Sequence, residues 1–558
     1  MELAKKLHQI KYRAKDETFN EMVIRFCDAT KDSLEHFEQM RPIVGNQYFL
    51  PAGRQQSAVG AVRTVTPFSC FVSGIIEDNT ESIMLRLTEA FQTMRVGGGI
   101  GYDFSRLRPA RAHIVSLDSE ASGPLPFIDM FDMCCKAVSS AGHRRGAQMG
   151  VLRIDHPDIE DFVRAKSEPE RWTQFNVSVG VTDDFMRKMA NDEDFDLVFE
   201  GRVYKTVRAR ALWKLILRST LEHAEPGVLF LDTINRQNNL HYCEVMEATN
   251  PCAEQPLPPF GACLLGSFNL AKYMVRDLGG FRFDTDLFLS HIPPVVRAID
   301  NIIDGAHFPL PEQKEEALNK RRMGLGVTGM ANAIEAMGLP YGSEHYIKMQ
   351  NKIMEVMRDA VYGASVRLAE EKGAFPLFDD KYLDSGFART LPDSIRNSIR
   401  LHGIRNSHLL SIAPTGTISL CADNVSSGIE PVFTHRVERD VKFPDGEESF
   451  VIDDYAYREW GIEGKTAHEV SVAEHVAVVS AAYRFVDSAV SKTVNCPNDI
   501  TWDEFRLIYW TAWKNGCKGL ATYTDGKSRD NMMRAAVEED SDGAACFYDP
   551  ETGTKSCD

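Results

Sequence analysis

Short runs of β-forming residues alternate with helical runs over most of this 558-residue chain, and this alternation constrains the fold strongly. Strand-like runs lie at 175–181 (FNVSVGV), 227–233 (GVLFLDT) and 407–413 (SHLLSIA). Helical runs lie at 312–338 and 346–372. Strands separated by helices are typical of a largely parallel sheet with helices on its faces. The pattern therefore predicts an α/β fold.

A further helix is predicted over 80–96, with Thr80 as its cap. Its apolar residues recur at helical spacing and are Ile83, Leu87, Phe91 and Met94. The glycine run GGGIG at 97–101 follows a helix rather than a strand. It therefore indicates a helix stop and a tight turn, not a dinucleotide-binding fingerprint.

Composition and charge exclude several classes of function. The net charge of −17 argues against non-specific duplex-DNA binding, which needs a basic surface. No run of 18 apolar residues and no export signal occur, so we expect a cytoplasmic protein without a membrane segment. The 12 cysteines include no C-x-x-C pair, and no histidine follows a glutamate by three residues. We therefore expect reduced thiols and no metal site in this chain.

A rigid loop carrying thiols is predicted in NPCAEQPLPPFGACLLGSFNL, residues 250–270. Its prolines at 256, 258 and 259 exclude helix and central strand. Cys252 and Glu254 lie just before them, and Cys263 lies just after. Taken alone, Cys263 and Cys70 are typical of small buried apolar residues, whereas the neighbours of Cys252 favour a site.

A small anion site is a second candidate, at Pro414, Thr415, Gly416 and Thr417. These residues follow a strand-like run and precede a helical one, so their backbone N–H groups are suited to a phosphate. An ordinary helix cap is the alternative. No P-loop lysine is present.

Over most of its length the chain resembles the large catalytic subunit of ribonucleotide reductase. The stretches that carry the resemblance are FSCFVSG, GGGIGYDFSRLR, GHRRGAQMGVLRIDHPDIEDF, NPCAEQPL with GACLLGSFNL, RRMGLGVTGMANA, IAPTGTISL and SSGIEPVF. The resemblance implies a ten-stranded α/β barrel of two five-stranded halves, with a buried finger loop carrying the radical cysteine.

It also implies the chemistry, which reduces ribonucleotides to 2′-deoxyribonucleotides for DNA synthesis. Cys252 would carry the thiyl radical and abstract the ribose 3′-hydrogen. Glu254 would act as general base on the 3′-hydroxyl, and Asn250 would orient the substrate. Cys70 and Cys263 would supply two electrons and form a disulfide.

The resemblance further implies three regions: an N-terminal helical segment at 1–45 without an ATP cone, a catalytic barrel at 46–533, and a flexible tail at 534–558. Cys546 and Cys557 in the tail would reopen the disulfide with a thioredoxin- or glutaredoxin-type reductant. Substrate phosphates would lie on 414–417, with Ser69 nearby.

Regulation is implied around residues 77–148, where a dNTP or ATP effector would set substrate specificity without an overall activity switch. Asp78 would contact its deoxyribose and Arg108 its phosphate. The basic loop of His143, Arg144 and Arg145 would relay effector identity. A homodimer is expected by analogy.

The radical source is left open between two cases. The stretch 516–529 resembles the adenosylcobalamin-dependent members of the family, which implies that cofactor; the alternative is a separate ferritin-like metallo-subunit with Tyr523 as radical relay. A glycyl-radical segment is absent. Two further alternatives are a catalytically dead nucleotide-binding protein and a plain dithiol oxidoreductase. Diphosphate and triphosphate substrates are not distinguished.

Overall fold

The computed structural model describes residues 1–140, 144–168, 170–443, 446–524, 547–549 and 554–556. The α-helices are α1 Glu2–Tyr12, α2 Phe19–Thr30, α3 Leu34–Gly45, α4 Gly53–Ala58, α5 Thr80–Arg95, α6 Leu125–Ala137, α7 Ile159–Ala165, α8 Asp183–Asn191, α9 Ala209–His223, α10 Leu231–Gln237, α11 Thr285–Gly305, α12 Pro311–Lys320, α13 Met330–Ala336, α14 Glu344–Lys372, α15 Asp393–His402, α16 Gly416–Cys421, α17 Tyr455–Trp460, α18 Val472–Tyr483 and α19 Trp502–Lys514. Short 3₁₀ helices lie at Leu270–Tyr273, Asp380–Asp384 and Ala388–Thr390.

The strands are β1 Phe49–Pro51, β2 Cys70–Val72, β3 Gly99–Asp103, β4 His113–Ile114, β5 Ser119–Glu120, β6 Ser139–Ser140, β7 Arg144–Arg145, β8 Gln148–Arg153, β9 Phe175–Val181, β10 Asp194–Phe199, β11 Arg202–Arg208, β12 Gly227–Phe230, β13 Ala248–Thr249, β14 Pro256–Leu257, β15 Ala262–Asn269, β16 Met274–Asp277, β17 Gly280–Phe283, β18 Met323–Thr328, β19 Arg436–Phe443, β20 Gly446–Asp453, β21 Thr493–Cys496, β22 Gly519–Thr524, β23 Phe547–Asp549 and β24 Thr554–Ser556.

Two groups of parallel strands form the main sheet. The first half runs in the order β2, β3, β8, β9, β12, and every neighbouring pair is parallel. The second half runs β22, β21, the segment 409–412, β18, β15. Here β21 pairs in parallel with β22, Ile412 bridges Val490 just before β21, Leu410 bridges Leu325 in β18, and β18 pairs in parallel with β15.

The halves meet antiparallel at both joins, β12 with β22 and β15 with β2. The strand order therefore returns to its start, and the sheet closes into the predicted ten-stranded α/β barrel of two five-stranded halves. β1 pairs antiparallel with the far end of β15 as an additional strand.

Barrel strands place alternate side chains on two separate cores, as the period of a strand requires. Phe71 and Leu264 belong to the large core shared with the helices. Their neighbours Cys70 and Cys263 belong to a smaller core, which also contains Leu257 from β14. The hairpin β13–β14 therefore lies on the inner side of the barrel wall.

Several elements match the sequence prediction. β9 occupies 175–181 as predicted, and α14 begins two residues before the predicted 346 and ends at 372. The predicted strand over 227–233 ends at Phe230, where α10 follows. The predicted strand over 407–413 contributes bridges at Leu410 and Ile412 rather than a continuous strand.

The predicted helix over 312–338 is wrong in its middle, since it is divided into α12, β18 and α13. In β18, Met323, Leu325 and Val327 alternate with glycines, which is a strand period.

Two details of the predicted helix at 80–96 are also corrected. The cap is Asn79, whose side chain accepts from the Ser82 N–H, rather than Thr80. Phe91 is 39% exposed instead of buried with Ile83 and Met94.

Candidate active site

The loop between β13 and β14, residues 250–255, lies inside the barrel and is fixed to both halves. The carbonyl of Pro251 accepts a hydrogen bond from the Asn176 side chain on β9, at 3.1 Å. The carbonyl of Glu254 accepts from the Ala489 N–H at 2.9 Å and from the Ser411 hydroxyl at 3.0 Å. The loop is therefore positioned by the first and second halves together.

Glycines in the barrel wall allow this close approach. A Cβ on Gly101 in β3 would lie 1.8 Å from the carbonyl oxygen of Thr249. A Cβ on Gly324 in β18 would lie 2.4 Å from Nε2 of Gln255. A larger residue at Gly101 would therefore displace the backbone that leads into the loop, whereas one at Gly324 would first displace the Gln255 side chain. Alternate glycines in 323–328 were the signal in the sequence for this contact.

Within the loop, Asn250 folds the chain back on itself. Its Oδ1 accepts from the Gln255 N–H at 3.0 Å, and its carbonyl accepts from the Ala253 N–H at 3.0 Å. Ala253 adopts a left-handed backbone, with φ of 65°. This tight turn places Cys252 and Glu254, which are 2% and 1% exposed, inside the barrel.

Cys70 and Cys263 lie directly opposite each other on the antiparallel strands β2 and β15. Opposed residues of such a pair have Cα atoms about 4.5–5.5 Å apart, which is within the range of a disulfide. Both cysteines carry free, buried thiols. The register therefore allows this pair to form a disulfide without a large backbone movement.

Glu254 and Asn250 surround the sulfur of Cys70. The Cys70 thiol lies 3.6 Å from Oε1 of Glu254, and the Asn250 Nδ2 donates to Cys70 Sγ at 3.1 Å. Burial raises the pKa of Cys70 well above its usual value, and the charges of Glu254 and Cys263 raise it further. The structure thus brings Cys70, Cys263, Asn250 and Glu254 together.

Cys252 is disulfide-bonded in this structure, whereas Cys70 and Cys263 are not. Any chemistry at the Cys252 sulfur therefore requires its prior reduction.

The predicted phosphate site lies at the start of α16, directly after the segment 409–412 of the second half. Thr415 has a left-handed backbone, with φ of 55°, which is rare for a β-branched residue. Its hydroxyl contacts that of Thr328 at 3.0 Å and accepts from the Gly428 N–H at 2.7 Å. Because that hydroxyl is bonded within the protein, the N–H groups of Gly416 and Thr417 at the helix start are the groups suited to an anion. Pro414 is buried.

Other predicted residues are placed as follows. Ser69 is half-buried beside Cys70, and its carbonyl accepts from the Gly99 N–H at 2.9 Å. Tyr523 is buried in β22 and packs against Ala224. Cys546, Cys557 and His143 lie outside the described residues. The backbone of Arg144 and Arg145 forms β7, paired with β6.

Asp78 and Arg108, the predicted effector contacts, form an ion pair with each other. Arg108 Nε donates to Asp78 Oδ2 at 2.6 Å, and the Arg108 N–H donates to Oδ1 at 3.1 Å. Both side chains are partly exposed, Arg108 at 34% and Asp78 at 25%. The pair is therefore accessible from solvent.

A buried charge cluster next to Cys263 was missed by the sequence reasoning. Arg322 contacts the carboxylates of Glu244 and Glu316, and Lys320 Nζ lies 2.8 Å from Glu244 and 3.0 Å from Glu316. Burial alone would raise the pKa of Glu244, but Arg322 and Lys320 lower it to about 2. A basic run such as 320–322 is usually solvated, so composition gave no signal for its burial.

Among the described residues, no cluster of histidine, cysteine or carboxylate side chains has a metal-binding arrangement. In the same part of the chain, no helix has the length and apolar character needed to cross a membrane.

Comparison with known proteins gives a consistent result. Residues 68–460 and 464–523 match the family model described as ribonucleotide reductase, barrel domain. The chain is 39% identical over 502 residues to a vitamin B12-dependent ribonucleoside-diphosphate reductase of Mycobacterium tuberculosis, which covers 84% of this chain and 69% of that protein.

A protein of the same name from Thermoplasma acidophilum is 35% identical over 503 residues, covering 84% of this chain and 63% of the relative. A ribonucleoside-diphosphate reductase subunit alpha of Chlamydia pneumoniae is 26% identical over 427 residues, covering 66% of this chain and 40% of that protein.

Proposed function

This chain belongs to the ribonucleotide reductase family as a catalytic subunit, and from that premise we propose that it reduces ribonucleotides by thiyl-radical chemistry initiated by adenosylcobalamin. The observation that carries the proposal is the joint placement of Cys70, Cys263, Asn250 and Glu254 around one buried loop. The names of the relatives from Mycobacterium and Thermoplasma support the cofactor.

The described residues fit that cofactor in one respect. When bound, adenosylcobalamin supplies a radical that removes a hydrogen atom from a thiol, so the protein must provide a shielded cysteine. Cys252, 2% exposed on a loop held by both halves, would be that cysteine once reduced. Its burial would protect a thiyl radical from solvent.

Around the substrate, Cys252 would take the 3′-hydrogen of the ribose, and the Glu254 carboxylate would accept the proton of the 3′-hydroxyl. Asn250 would hold Cys70 and orient the sugar. As the 2′-hydroxyl leaves as water, the Cys70 and Cys263 thiols would each lose one electron and one proton, and their sulfurs would form a disulfide. Cys252 would then recover its hydrogen.

The N–H groups of Gly416 and Thr417 would bind the substrate phosphate, with Ser69 near the sugar. A dNTP or ATP effector would bind around Asp78 and Arg108, replacing their mutual ion pair with contacts to deoxyribose and phosphate. Arg144, Arg145 and His143 would relay effector identity. We also infer an N-terminal helical segment at 1–45, a catalytic barrel at 46–533 and a tail at 534–558. The proposal includes a homodimer, a cytoplasmic location, and a thioredoxin-type reductant acting through Cys546 and Cys557.

The experiment that tests the proposal is nucleotide reduction by the purified full chain with dithiothreitol, with and without adenosylcobalamin. We expect deoxyribonucleotide product when the cofactor is present and none with the Cys252→Ser variant. Supplying diphosphate and triphosphate substrates in parallel identifies the preferred one. Product that forms only with an added metallo-subunit, and is lost in Tyr523→Phe, would instead favour the alternative radical source.

A further inference from the structure

The two cysteines of the redox pair have oppositely charged neighbours. Cys70 lies 3.6 Å from the carboxylate of Glu254. Strands β15 and β18 are parallel, and Leu264 on β15 is paired with Met323 on β18. Cys263 and Arg322 each precede these partners by one residue. Residues at matching positions of adjacent strands share a face, so the register places Arg322 beside Cys263.

Arg322 is held in one position by the buried cluster described above. Its two terminal nitrogens contact Glu244 and Glu316, and its side chain is 1% exposed. Lys320 completes the cluster by bridging the same two carboxylates. If the guanidinium rotated away, it would lose both charge-assisted contacts and leave its own buried charge without a carboxylate partner, so its position next to the strand pair is favoured strongly.

The charges that act on Cys263 come from several elements. Burial raises the pKa of the Cys263 thiol, and Arg322 is the main group that opposes this increase. Asp487, Glu254 and Glu316 act in the other direction. For Cys70, the neighbouring Glu254 carboxylate adds to the effect of burial. A positively charged side chain therefore lies beside the Cys263 sulfur, whereas the Cys70 sulfur has the Glu254 carboxylate and the neutral amide donor of Asn250 as neighbours.

We propose that Arg322 is a positioning residue that sets the direction of disulfide reduction, so that an external thiolate attacks Cys70 and Cys263 leaves. The new bond joins the external sulfur to Cys70 Sγ, and the Cys70–Cys263 bond breaks with its electron pair on Cys263 Sγ. A second thiol of the external dithiol then releases Cys70. The dithiol loses two electrons, and two protons end on Cys70 and Cys263.

A leaving thiolate departs faster when it is better stabilised, which is why the asymmetry matters. The inference rests on the proposed function for its biological meaning. Its test, however, requires neither substrate nor cofactor, so that its failure is distinct from failure of the proposed function.

The test uses the full chain oxidised with diamide, with the Cys70–Cys263 linkage verified by peptide mass spectrometry. Limiting 2-mercaptoethanol followed by rapid alkylation identifies the attacked sulfur, which we expect to be Cys70. In Arg322→Met we expect disulfide reduction at pH 7 to be on the order of tenfold slower, with adducts moving toward Cys263. Arg322→Lys, which keeps the charge, should retain the adduct on Cys70.

Arg321→Met is the matched control. Arg321 is also a buried arginine between two carboxylates, Asp300 and Asp304, at 2.8 and 2.7 Å, but it is not the residue beside Cys263 in the strand register. If Arg322→Met does not fold, the variant Glu244→Gln, Glu316→Gln, Lys320→Met, Arg322→Met removes all four charges of the cluster together. Adducts on Cys263 in the unmodified chain, equal slowing by both arginine variants, or failure of the disulfide to form would each overturn the proposal.

Discussion

The two halves of the barrel differ in how their middle strand is hydrogen-bonded to its neighbours. The first half, β2 to β12, consists of strands paired by continuous backbone ladders, as in β8 with β9 over six residue pairs. In the second half β15 and β18 also form a ladder of six pairs, but the segment 409–412 joins its neighbours through two isolated bridges and single backbone hydrogen bonds. There the Asp487 carboxylate accepts the N–H groups of Leu409 at 2.7 Å and Leu410 at 2.9 Å. A buried carboxylate thus accepts the two N–H groups that would otherwise bond to strand carbonyls.

This difference bears on the active site. The segments that hold the Glu254 carbonyl, through Ser411 and Ala489, belong to the half in which Asp487 supplements the backbone hydrogen bonds. Gly101 on β3 and Asn176 on β9, which also contact the loop region, belong to the half with continuous ladders. We expect substitutions in the second half to act on stability first, and substitutions in the first half to act on loop position.

The largest effect is expected for Asp487→Ala. It leaves the Leu409 and Leu410 N–H groups and the Tyr362 hydroxyl, which donates to Asp487 at 2.7 Å, without their acceptor. Removing a buried carboxylate with several partners costs about 3–5 kcal/mol of unfolding free energy. Calorimetry or denaturant unfolding measures it. Asp384→Ala, at a side chain that is 65% exposed, should change stability by less than about 1 kcal/mol. Equal effects would contradict the comparison.

The next largest effect is expected for Gly101→Ala in the first half. The new Cβ would meet the Thr249 carbonyl oxygen at 1.8 Å and push the loop 250–255 inward or aside. A displacement of about 1 Å at a reacting group costs roughly 100-fold in turnover. Steady-state kinetics measures this loss. Gly305→Ala, where a Cβ meets no atom within 4 Å, is the control. Full activity in Gly101→Ala would show that the loop does not depend on that contact.

The smallest expected effect is on the pH dependence of the free energy of unfolding. Lys518 lies at the join of the halves and donates to the carbonyls of Asp487 and Ser488. Burial lowers its pKa from 10.5 to about 7. Between those values the unfolded chain binds a proton that the folded chain does not, so this residue makes stability rise with pH from 7 toward 10.5.

Lys518→Met should therefore reduce the difference in Tm between pH 7 and pH 9 by about 2 °C. Exposed Lys352→Met should leave that difference unchanged. An unaltered pH dependence in Lys518→Met would assign the trend to other groups.

Sequence reasoning was most successful where a strand or helix is continuous. The run FNVSVGV is β9 residue for residue, because β-branched side chains alternate with small ones on a buried strand. It failed at 323–328, where glycines that admit the loop were taken for part of a helix. The side chains of neighbouring strands decide that assignment, and they lie more than fifty residues away in the chain.

For the site, the cysteines and Glu254 were identified by resemblance and then brought together by strand register. The pairing of Cys70 with Cys263 joins residues 193 positions apart, which no local pattern encodes. The cluster around Arg322 was not predicted, because a basic run is ordinarily solvated and its carboxylate partners come from separate segments. Two features are therefore not determined by local sequence: the pairing of distant strands, and the burial of charged side chains that neutralise one another.

In the proposed reaction, one cysteine from each half of the barrel supplies the electrons for ribonucleotide reduction. A single turnover of the reduced chain with adenosylcobalamin and substrate, without external reductant, tests it directly. Quenched samples are alkylated and analysed by peptide mass spectrometry beside the product yield. We expect one Cys70–Cys263 disulfide for each deoxyribonucleotide formed. Product formation with both thiols still free would contradict it.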